Sequence, residues 1–430
     1  MPRRRSPSAA RRRIPVQAAA AYLFALAALV HAPAPLAQSP VPLTLAEAQR
    51  LALQRSPQLA SQSAMAEASR EMAVAAGELP DPQVFAGMEN LSLSGADAWT
   101  LRDGMTMARI GVMQEFPREA KRRLRSERAL REAERVEVVA QADALSIRRE
   151  TAAAWLNAHY AQRAERAIAA QIAEAELQAA LAGAAYRSGR GAQGDVLAAQ
   201  SALIDLRNRK VEAQLAARRA RIALARYVGN EADRQLAEPP ALDALPEPVE
   251  RLVAVDSQPE VRRLEAQAAV LDTESRLARA NRDPDWSVEV SYGYRYNNPD
   301  MVSVMLRMPL PWSPGTRQDR EHAAKLKERD AAGAMREDAR RMRVAEVRQM
   351  LAEWDAMREQ ARAIRDELIP LARARTEAAL ASYRGGMGTL ATVLEARRGE
   401  LEADIALINA EQAAARSWAW LANLTPGEPR

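Results

Sequence analysis

Few side chains in this sequence are of a type that performs catalysis. There is no cysteine, which excludes disulfides, zinc–thiolate sites, thiol nucleophiles and a lipid-modified cysteine. Of the three histidines, His31 lies in a segment that we expect to be removed, and His159 and His322 are far apart in the chain. No nucleophile is paired with a base in a recognisable arrangement. We therefore predict that the protein is not an enzyme and uses no cofactor.

Methionine is the remaining candidate metal ligand, because thioethers suit soft cations. The sequence has 15 methionines, with "MTM" at 105–107 and a second group formed by Met301, Met305 and Met308. Methionine more often fills packing gaps or faces lipid than binds a metal. We therefore assign no metal site from the sequence.

A glycine-rich motif occurs twice, as "YRSGRGAQGDVLAA" from Tyr186 and "YRGGMGTLATVLEA" from Tyr383. No strand pattern precedes either copy and no Gly-Lys-Ser/Thr follows, so neither is a phosphate loop. Glycine adopts positive φ, which a tight reversal between two helices needs. One acid follows each turn, Asp195 and Glu395. Such an acid either attracts cations or simply stabilises the start of a helix.

The N-terminal segment 1–37 is predicted to be a secretory signal peptide. Six arginines precede a short apolar run, Val16–Val30, and small residues near Ala37 offer a cleavage site. Without these arginines the formal charge falls from +5 to about −1, so the high isoelectric point gives no support for nucleic-acid binding. The mature chain contains no apolar run long enough for a transmembrane helix.

The mature chain is two copies of one unit. Pro57 and Pro259 are separated by the same number of residues as Asp81 and Asp283, and Trp155 and Trp354 are related by a similar offset. We predict a first repeat at 38–245, a second at 246–425 and a short tail at 426–430.

Each repeat combines very long helices with two strands. The segment 118–187 has no proline and a single glycine, so its 70 positions would span about 105 Å as a helix. The segment 316–384 is similar, with a kink expected at Pro370. Shorter helices return after each glycine turn, at about 195–229 and 389–423.

Alternating side chains predict four strands, at about 83–94, 104–116, 285–296 and 301–310. An ordinary half-buried sheet would give this pattern, and so would strands of an outer-membrane barrel. Export, helix length and aromatic residues favour the barrel. Four strands cannot close a barrel and lipid does not tolerate open edges, so two or three copies must share one. The lipid-facing residues are predicted to be Trp286, Val288, Val290, Tyr292, Tyr294 and Tyr296.

The two turns, the repeat and the strand pairs resemble the outer-membrane efflux protein family, the TolC-like ducts. The resemblance covers about 44–425 and implies an α+β membrane protein: a homotrimer with a twelve-stranded outer-membrane barrel and a long α-helical barrel in the periplasm. It also implies docking to a periplasmic adaptor and an inner-membrane RND-type pump. The predicted docking residues are those of the two tips: Gly189, Arg190, Gly191, Gly386, Met387 and Gly388.

Members of this family carry two acids, one helical turn apart, at a constricted pore entrance. The matching positions in the second repeat are Thr392 and Glu395, so one acid is absent there; in the first repeat they are Asp195 and Ala198. The resemblance therefore implies Asp195 and Glu395 as candidates for the gate. The alternative is that both are solvated acids that stabilise the starts of their helices.

The sequence predicts a passive outer-membrane duct. "RDPDWSVEVSYGYR", "DMVSVMLRMPLP" and "RQDRE" are most similar to the heavy-metal branch of the family, which implies metal cations as substrate. A drug-efflux or type I secretion duct is the alternative within the class. A soluble periplasmic scaffold or adaptor is the alternative of another class, although an adaptor would have one hairpin rather than two.

Overall fold

The computed structural model describes residues 41–425. The predicted signal peptide, with His31 in it, and the predicted tail at 426–430 lie outside the described residues. From Leu43 onward the chain forms one unit, which is mostly helical and carries one small antiparallel sheet.

The first repeat begins with two short helices and then alternates strands with long helices. The elements of this repeat are α1 (Leu45–Gln54), α2 (Pro57–Gly77), β1 (Gln83–Glu89), β2 (Met107–Phe116), α3 (Glu119–Arg187) and α4 (Gln193–Val228), followed by a 3-10 turn at Gly229–Asp233. Helix α2 starts as predicted, with Pro57 in its first turn and the Ser56 hydroxyl accepting a hydrogen bond from the amide of Leu59 at 3.3 Å.

The second repeat follows the same order. It begins with a short helix and a 3-10 turn (Val255–Ser257). Pro259 again lies in the first turn of the helix that precedes the strands. The elements are α5 (Val249–Val253), α6 (Pro259–Ala280), β3 (Trp286–Tyr294), β4 (Met301–Arg307), α7 (Gln318–Ala363), a π-helix (Ile364–Leu368), α8 (Ile369–Arg384) and α9 (Leu390–Leu421).

Two equivalent tryptophans each donate a hydrogen bond to a carbonyl 112 residues earlier in the chain. The indole Nε1 of Trp155 donates to the carbonyl of Leu43 at 3.1 Å, and that of Trp354 donates to the carbonyl of Leu242 at 3.2 Å. Both tryptophans are buried among apolar side chains from several helices. The same contact in both repeats supports the duplication expected from the sequence.

The four strands lie in the order β1-β2-β3-β4, and every pair is antiparallel. β2 pairs with β3, so the two repeats contribute to one sheet. The register places four valines in one row across the strands: Val84, Val112, Val290 and Val304. The outer edges of β1 and β4 are unpaired within the described chain.

The strands are shorter than the sequence pattern predicted. β1 ends at Glu89 rather than near 94, and β3 ends at Tyr294 rather than at 296. Asn90 and Asn297 both have φ of 55°, a conformation that asparagine tolerates and that ends an extended strand. Tyr296 therefore lies in the turn after β3 and not in the strand, which corrects its predicted place.

A π-helix, Ile364–Leu368, precedes Pro370, where the sequence predicted a kink. Proline has no amide hydrogen to donate within a helix, and its ring clashes with the preceding turn. The wider turn at Ile364–Leu368 accommodates this, with the amide of Ile369 donating to the carbonyl of Ile364. By contrast, α3 is continuous over 69 residues, a length of about 104 Å.

Candidate functional site: paired hairpin tips and a two-faced sheet

Both glycine motifs form the reversal at the end of a helical hairpin. Gly189 has φ of 73° and Gly386 has φ of 74°. The amide of Arg190 donates to the carbonyl of Ala185 at 2.9 Å, and the amide of Met387 donates to that of Ser382 at 3.0 Å. These bonds, with positive φ one residue earlier, define the Schellman motif that closes a helix C-terminus.

A second glycine in each tip is required by close backbone packing. A Cβ at Gly191 would lie 3.1 Å from the Cβ of Ala185, and one at Gly388 would lie 3.1 Å from the Cβ of Ser382. The two tips therefore share one backbone geometry, as the repeated motif predicted.

The apexes of the tips differ in chemistry although their backbones match. Arg190 in the first tip is equivalent to Met387 in the second, whose side chain is 86% exposed. Arg187 and Arg384, the last helical residue of each leading helix, are exposed as well. The first tip thus presents a cationic apex and the second an apolar one.

The two acids predicted at the pore entrance have different surroundings. Asp195 is partly buried in the first turn of α4. Glu395 is exposed on α9 and forms an ion pair with Arg375 of α8, at 3.1 Å between Nη2 and Oε1. Arg375 was not predicted from the sequence. It could have been, because residues 375 and 395 are equally far from the glycine turn and therefore lie opposite each other in the hairpin.

A groove of about 540 Å³ separates the first hairpin from α9 just beyond the tips. Glu395 lies in its wall, and so does Arg397, which bonds Glu174 of α3 and Glu400 of its own helix, each at 3.3 Å. The Nε of Arg397 is buried without a hydrogen-bond partner. Below the groove, small apolar side chains pack the tips together, among them Ala199, Val393 and Ala396.

A polar cavity of about 430 Å³ lies near the middle of the helices. Burial lowers the pKa of His159, whose ring stacks on Trp155 with centroids 5.7 Å apart. Burial also raises the pKa of Asp404 on the opposite wall. Within residues 41–425 no group of three or more His, Cys, Asp or Glu side chains is arranged to hold a metal ion.

The sheet has one apolar face that is exposed and one polar face that is more buried. On β3 the exposed residues include Trp286, Val290, Tyr292 and Tyr294, whereas Glu289, Ser291 and Gly293 are buried. Partners in register continue the apolar face on β1, β2 and β4, where Val84, Val302 and Val304 are more than 70% exposed. The apolar face comprises Val84, Ala86, Met88, Ala108, Ile110, Val112, Gln114, Phe116, Trp286, Val288, Val290, Tyr292, Tyr294, Val302, Val304 and Leu306.

An ionic ladder crosses the polar face, with one charged residue from each strand. Arg109 bonds Glu89 at 3.1 Å and Glu289 at 2.5 Å, and Arg307 bonds the other oxygen of Glu289 at 2.7 Å. The Nε of Arg109 also donates to the hydroxyl of Ser291 at 2.7 Å. The charges of the polar face are therefore paired with one another, while the apolar face is exposed. A sheet of a soluble protein has the opposite arrangement, with its apolar face buried.

No helix among the described residues is long and apolar enough to cross a membrane.

A family model of the "Outer membrane efflux protein" matches residues 49–230 and 253–427 of the chain. The two matched segments correspond to the two repeats. No curated protein matches the sequence.

Solved structures of similar fold include a membrane protein from Pseudomonas aeruginosa, with TM-score 0.75 and 18% identity over 88% of this chain and 89% of that one. The outer membrane protein VceC from Vibrio cholerae matches with TM-score 0.71 and 19% identity over 88% of this chain and 95% of that one. CusC, described as forming a transmembrane channel, matches with TM-score 0.74 and 14% identity over 90% and 93%.

Proposed function

Because the chain belongs to the outer membrane efflux protein family, it is an efflux channel and not an enzyme, and we propose that it provides a passive conduit from the periplasm to the exterior. The sheet spans the outer membrane and the helices extend into the periplasm. The energy for transport comes from an inner-membrane pump of the RND type, to which a periplasmic adaptor connects the channel.

The observation that carries this proposal is the inverted sheet. Its exposed face is a continuous apolar surface, and its inner face holds the ladder of Glu89, Arg109, Glu289 and Arg307. Lipid requires the first arrangement and a water-filled interior the second. Trp286 stacks on Phe116 at one end of the apolar face, with ring centroids 4.3 Å apart, where an interfacial aromatic pair is expected.

The unpaired edges of the sheet support assembly into a homotrimer. A strand edge in lipid leaves amides and carbonyls without partners, which costs several kcal/mol for each group. Pairing β4 of one copy with β1 of the next satisfies both edges. Three copies of a four-stranded sheet then close a twelve-stranded barrel.

The hairpin tips are the proposed docking points for the adaptor. Their positive-φ glycines fix the shape of the reversal and expose Arg190 and Met387 at the apexes. Since both tips share one backbone, each chain offers two contacts of equal shape. The docking residues are Gly189, Arg190, Gly191, Gly386, Met387 and Gly388.

The pore entrance is proposed to lie beside these tips, with Asp195 and Glu395 lining it. In a trimer each acid occurs three times around the axis. Carboxylates grouped in this way attract cations and repel one another, which favours cation entry and makes opening sensitive to ions.

Heavy-metal cations are the proposed substrate, supported by the similarity of the strand segments around 282–295 and 300–311 to the heavy-metal branch. A drug-efflux or type I secretion duct is the alternative, since the similar structures, at 14–19% identity, share only the fold. A soluble periplasmic scaffold would not expose an apolar sheet face of this size.

Fractionation and a deletion strain test this proposal together. We expect the protein in the outer-membrane fraction, soluble only with detergent, and we expect its deletion to lower tolerance of metal salts. Recovery from the periplasm without detergent would contradict the channel. Unchanged metal tolerance with raised drug sensitivity would leave the channel standing and overturn the metal substrate.

A further inference from the structure

Four methionines lie on the polar face of the sheet, where burial of apolar surface does not explain their presence. The strands contain five methionines, and Met88 alone lies on the apolar face. Met107, Met113, Met301 and Met305 all share the face of Glu289 and Ser291. Met301 and Met305 are 43% and 39% exposed, so they do not fill a packed core.

The first pair of methionines flanks a glycine of β3. Met301 on β4 is directly opposite Gly293 on β3. From the other side, the Sδ of Met107 on β2 lies 3.0 Å from the point where a Cβ on Gly293 would be. The missing side chain leaves space on β3 that the Met107 thioether occupies, and the register places Met301 on the other side of the same glycine.

The second pair has the same arrangement four residues along β3. Met113 on β2 and Met305 on β4 are both directly opposite Glu289. Arg109 and Arg307 both form ion pairs with the Glu289 carboxylate, which lies between these two methionines in the register. Four residues of strand place the two pairs about 13 Å apart along the sheet.

We propose that the pairs Met107–Met301 and Met113–Met305 are successive contact sites for soft monovalent cations, Cu⁺ or Ag⁺, on the polar face of the sheet. The proposal rests on the proposed efflux function and specifies its substrate class. Thioethers bind such ions well and bind Zn²⁺, Mg²⁺ or Ca²⁺ poorly, because those ions prefer nitrogen, thiolate or oxygen ligands.

Nearby guanidinium groups make these sites weak, as transport requires. Arg295 Nη1 lies 3.4 Å from the Sδ of Met301, and Arg307 Nη1 lies 3.7 Å from the Sδ of Met113. Their positive charge opposes a bound cation, so an ion is not retained. Several weak sites in series let an ion enter and leave, whereas one tight site would block the path.

Silver binding to the purified full-length trimer in detergent tests the proposal, with Ag⁺ alone as the probe. The variants are Met107→Leu/Met301→Leu and Met113→Leu/Met305→Leu, because leucine keeps the volume and costs less than about 1.5 kcal/mol. At the same free Ag⁺ concentration, each double variant should hold about half as much sulfur-bound Ag⁺ as the wild type, because one of the two pairs is lost. Met88→Leu, on the apolar face, is the matched control and should bind as the wild type does.

X-ray absorption at the silver edge identifies the ligands independently of variant stability. We expect sulfur neighbours in the wild type and fewer of them in each double variant. Silver binding that neither double variant changes, or a spectrum with only oxygen and nitrogen neighbours, would overturn the thioether sites. That result leaves the channel intact, because the channel itself is judged by outer-membrane fractionation of the same preparations.

Discussion

At the residue scale, the two acids at the proposed entrance are not equivalent. Glu395 is compensated by Arg375 on the facing helix, whereas Asp195 has only its place in the first turn of α4. Both side chains of the ion pair are more than 60% exposed, so the pair contributes at most about 1 kcal/mol to stability. The main effect of the Arg375–Glu395 pair is therefore on the net charge of the proposed entrance, because Arg375 offsets the negative charge of Glu395.

Neutralising Glu395 should weaken the preference of the channel for cations without unfolding the protein. Glu395→Gln leaves Arg375 uncompensated and makes the entrance more positive. We expect the reversal potential in a salt gradient across a planar bilayer to shift toward anion permeation.

The double variant Glu395→Gln/Arg375→Gln restores the local charge and is the matched control. It should return the reversal potential toward the wild-type value. Equal values for the wild type and both variants would place Glu395 outside the ion path and support the interpretation that it only stabilises a helix.

At the element scale, Arg397 connects the second hairpin to the first near the proposed entrance. Arg397 on α9 bonds Glu174 on α3, whereas its neighbour Arg398 bonds Glu402 within the same helix, at 2.9 Å. The Arg397 side chain is 24% exposed, and its Nε is buried without a partner. Movement of α9 away from the first hairpin must break this contact.

Arg397→Gln should therefore favour separation of the hairpins near the entrance. We expect a higher open probability in single-channel recordings, while thermal stability changes by no more than about 1 kcal/mol, the usual limit for a partly exposed pair. Arg398→Gln removes the same charge one residue away and should leave the open probability unchanged. Similar behaviour of the two variants would mean that the Glu174 contact does not restrain opening.

The sequence predicted most of these elements because their causes are local. Prolines in first turns, glycines at helix ends and uninterrupted helical composition correctly indicated α2, α6, α3 and both tips. The strand ends were wrong, since Asn90 and Asn297 adopt positive φ that alternation alone does not reveal. Contacts such as Arg397–Glu174 join residues more than two hundred positions apart, and no periodic pattern reports them.

The polarity of the face that carries these methionines was available only from the register. In β4 the alternation separates Met301 and Met305 from Val302, Val304 and Leu306, but it does not show which side chains lie beside them on the neighbouring strands. Pairing with Glu289 and Gly293 is what places Met305 and Met301 on the polar side. A register is fixed by the whole sheet, because a slip of one residue exchanges the two faces.

At the scale of the whole molecule, the exposed apolar side chains of the helices fall into stripes that require a partner. On α4 they recur at intervals of seven, seven, four and seven residues, and all are at least 47% exposed: Leu197, Ile204, Val211, Leu215 and Ile222. Met65 and Met72 on α2, and Met335 and Met342 on α7, are also seven residues apart. Heptad spacing is typical of helices that pack against another helix along their length.

In the proposed trimer, a second copy of the chain is the partner that covers both the stripes and the edges of the sheet. The unpaired edges of β1 and β4 already demand a neighbour in the membrane. The exposed apolar stripes likewise favour a neighbour along the helices, because burying each isoleucine or valine would stabilise the contact between copies by about 1.5–3 kcal/mol. The same contacts between copies would then close the sheet and seal the helical wall.

Charging the α4 stripe should therefore dissociate the trimer. Ile204→Lys and Val211→Lys each place an ammonium group in the proposed contact between copies, and each residue is already exposed within one chain, so folding of the chain itself is spared. We expect native mass spectrometry in detergent to show monomers where the wild type gives trimers. Gln214→Lys adds the same charge at an exposed position on the same helix, away from the stripe, and should remain trimeric. Trimers of undiminished stability in both stripe variants would show that α4 faces water, and the contact between copies would then have to involve other helices.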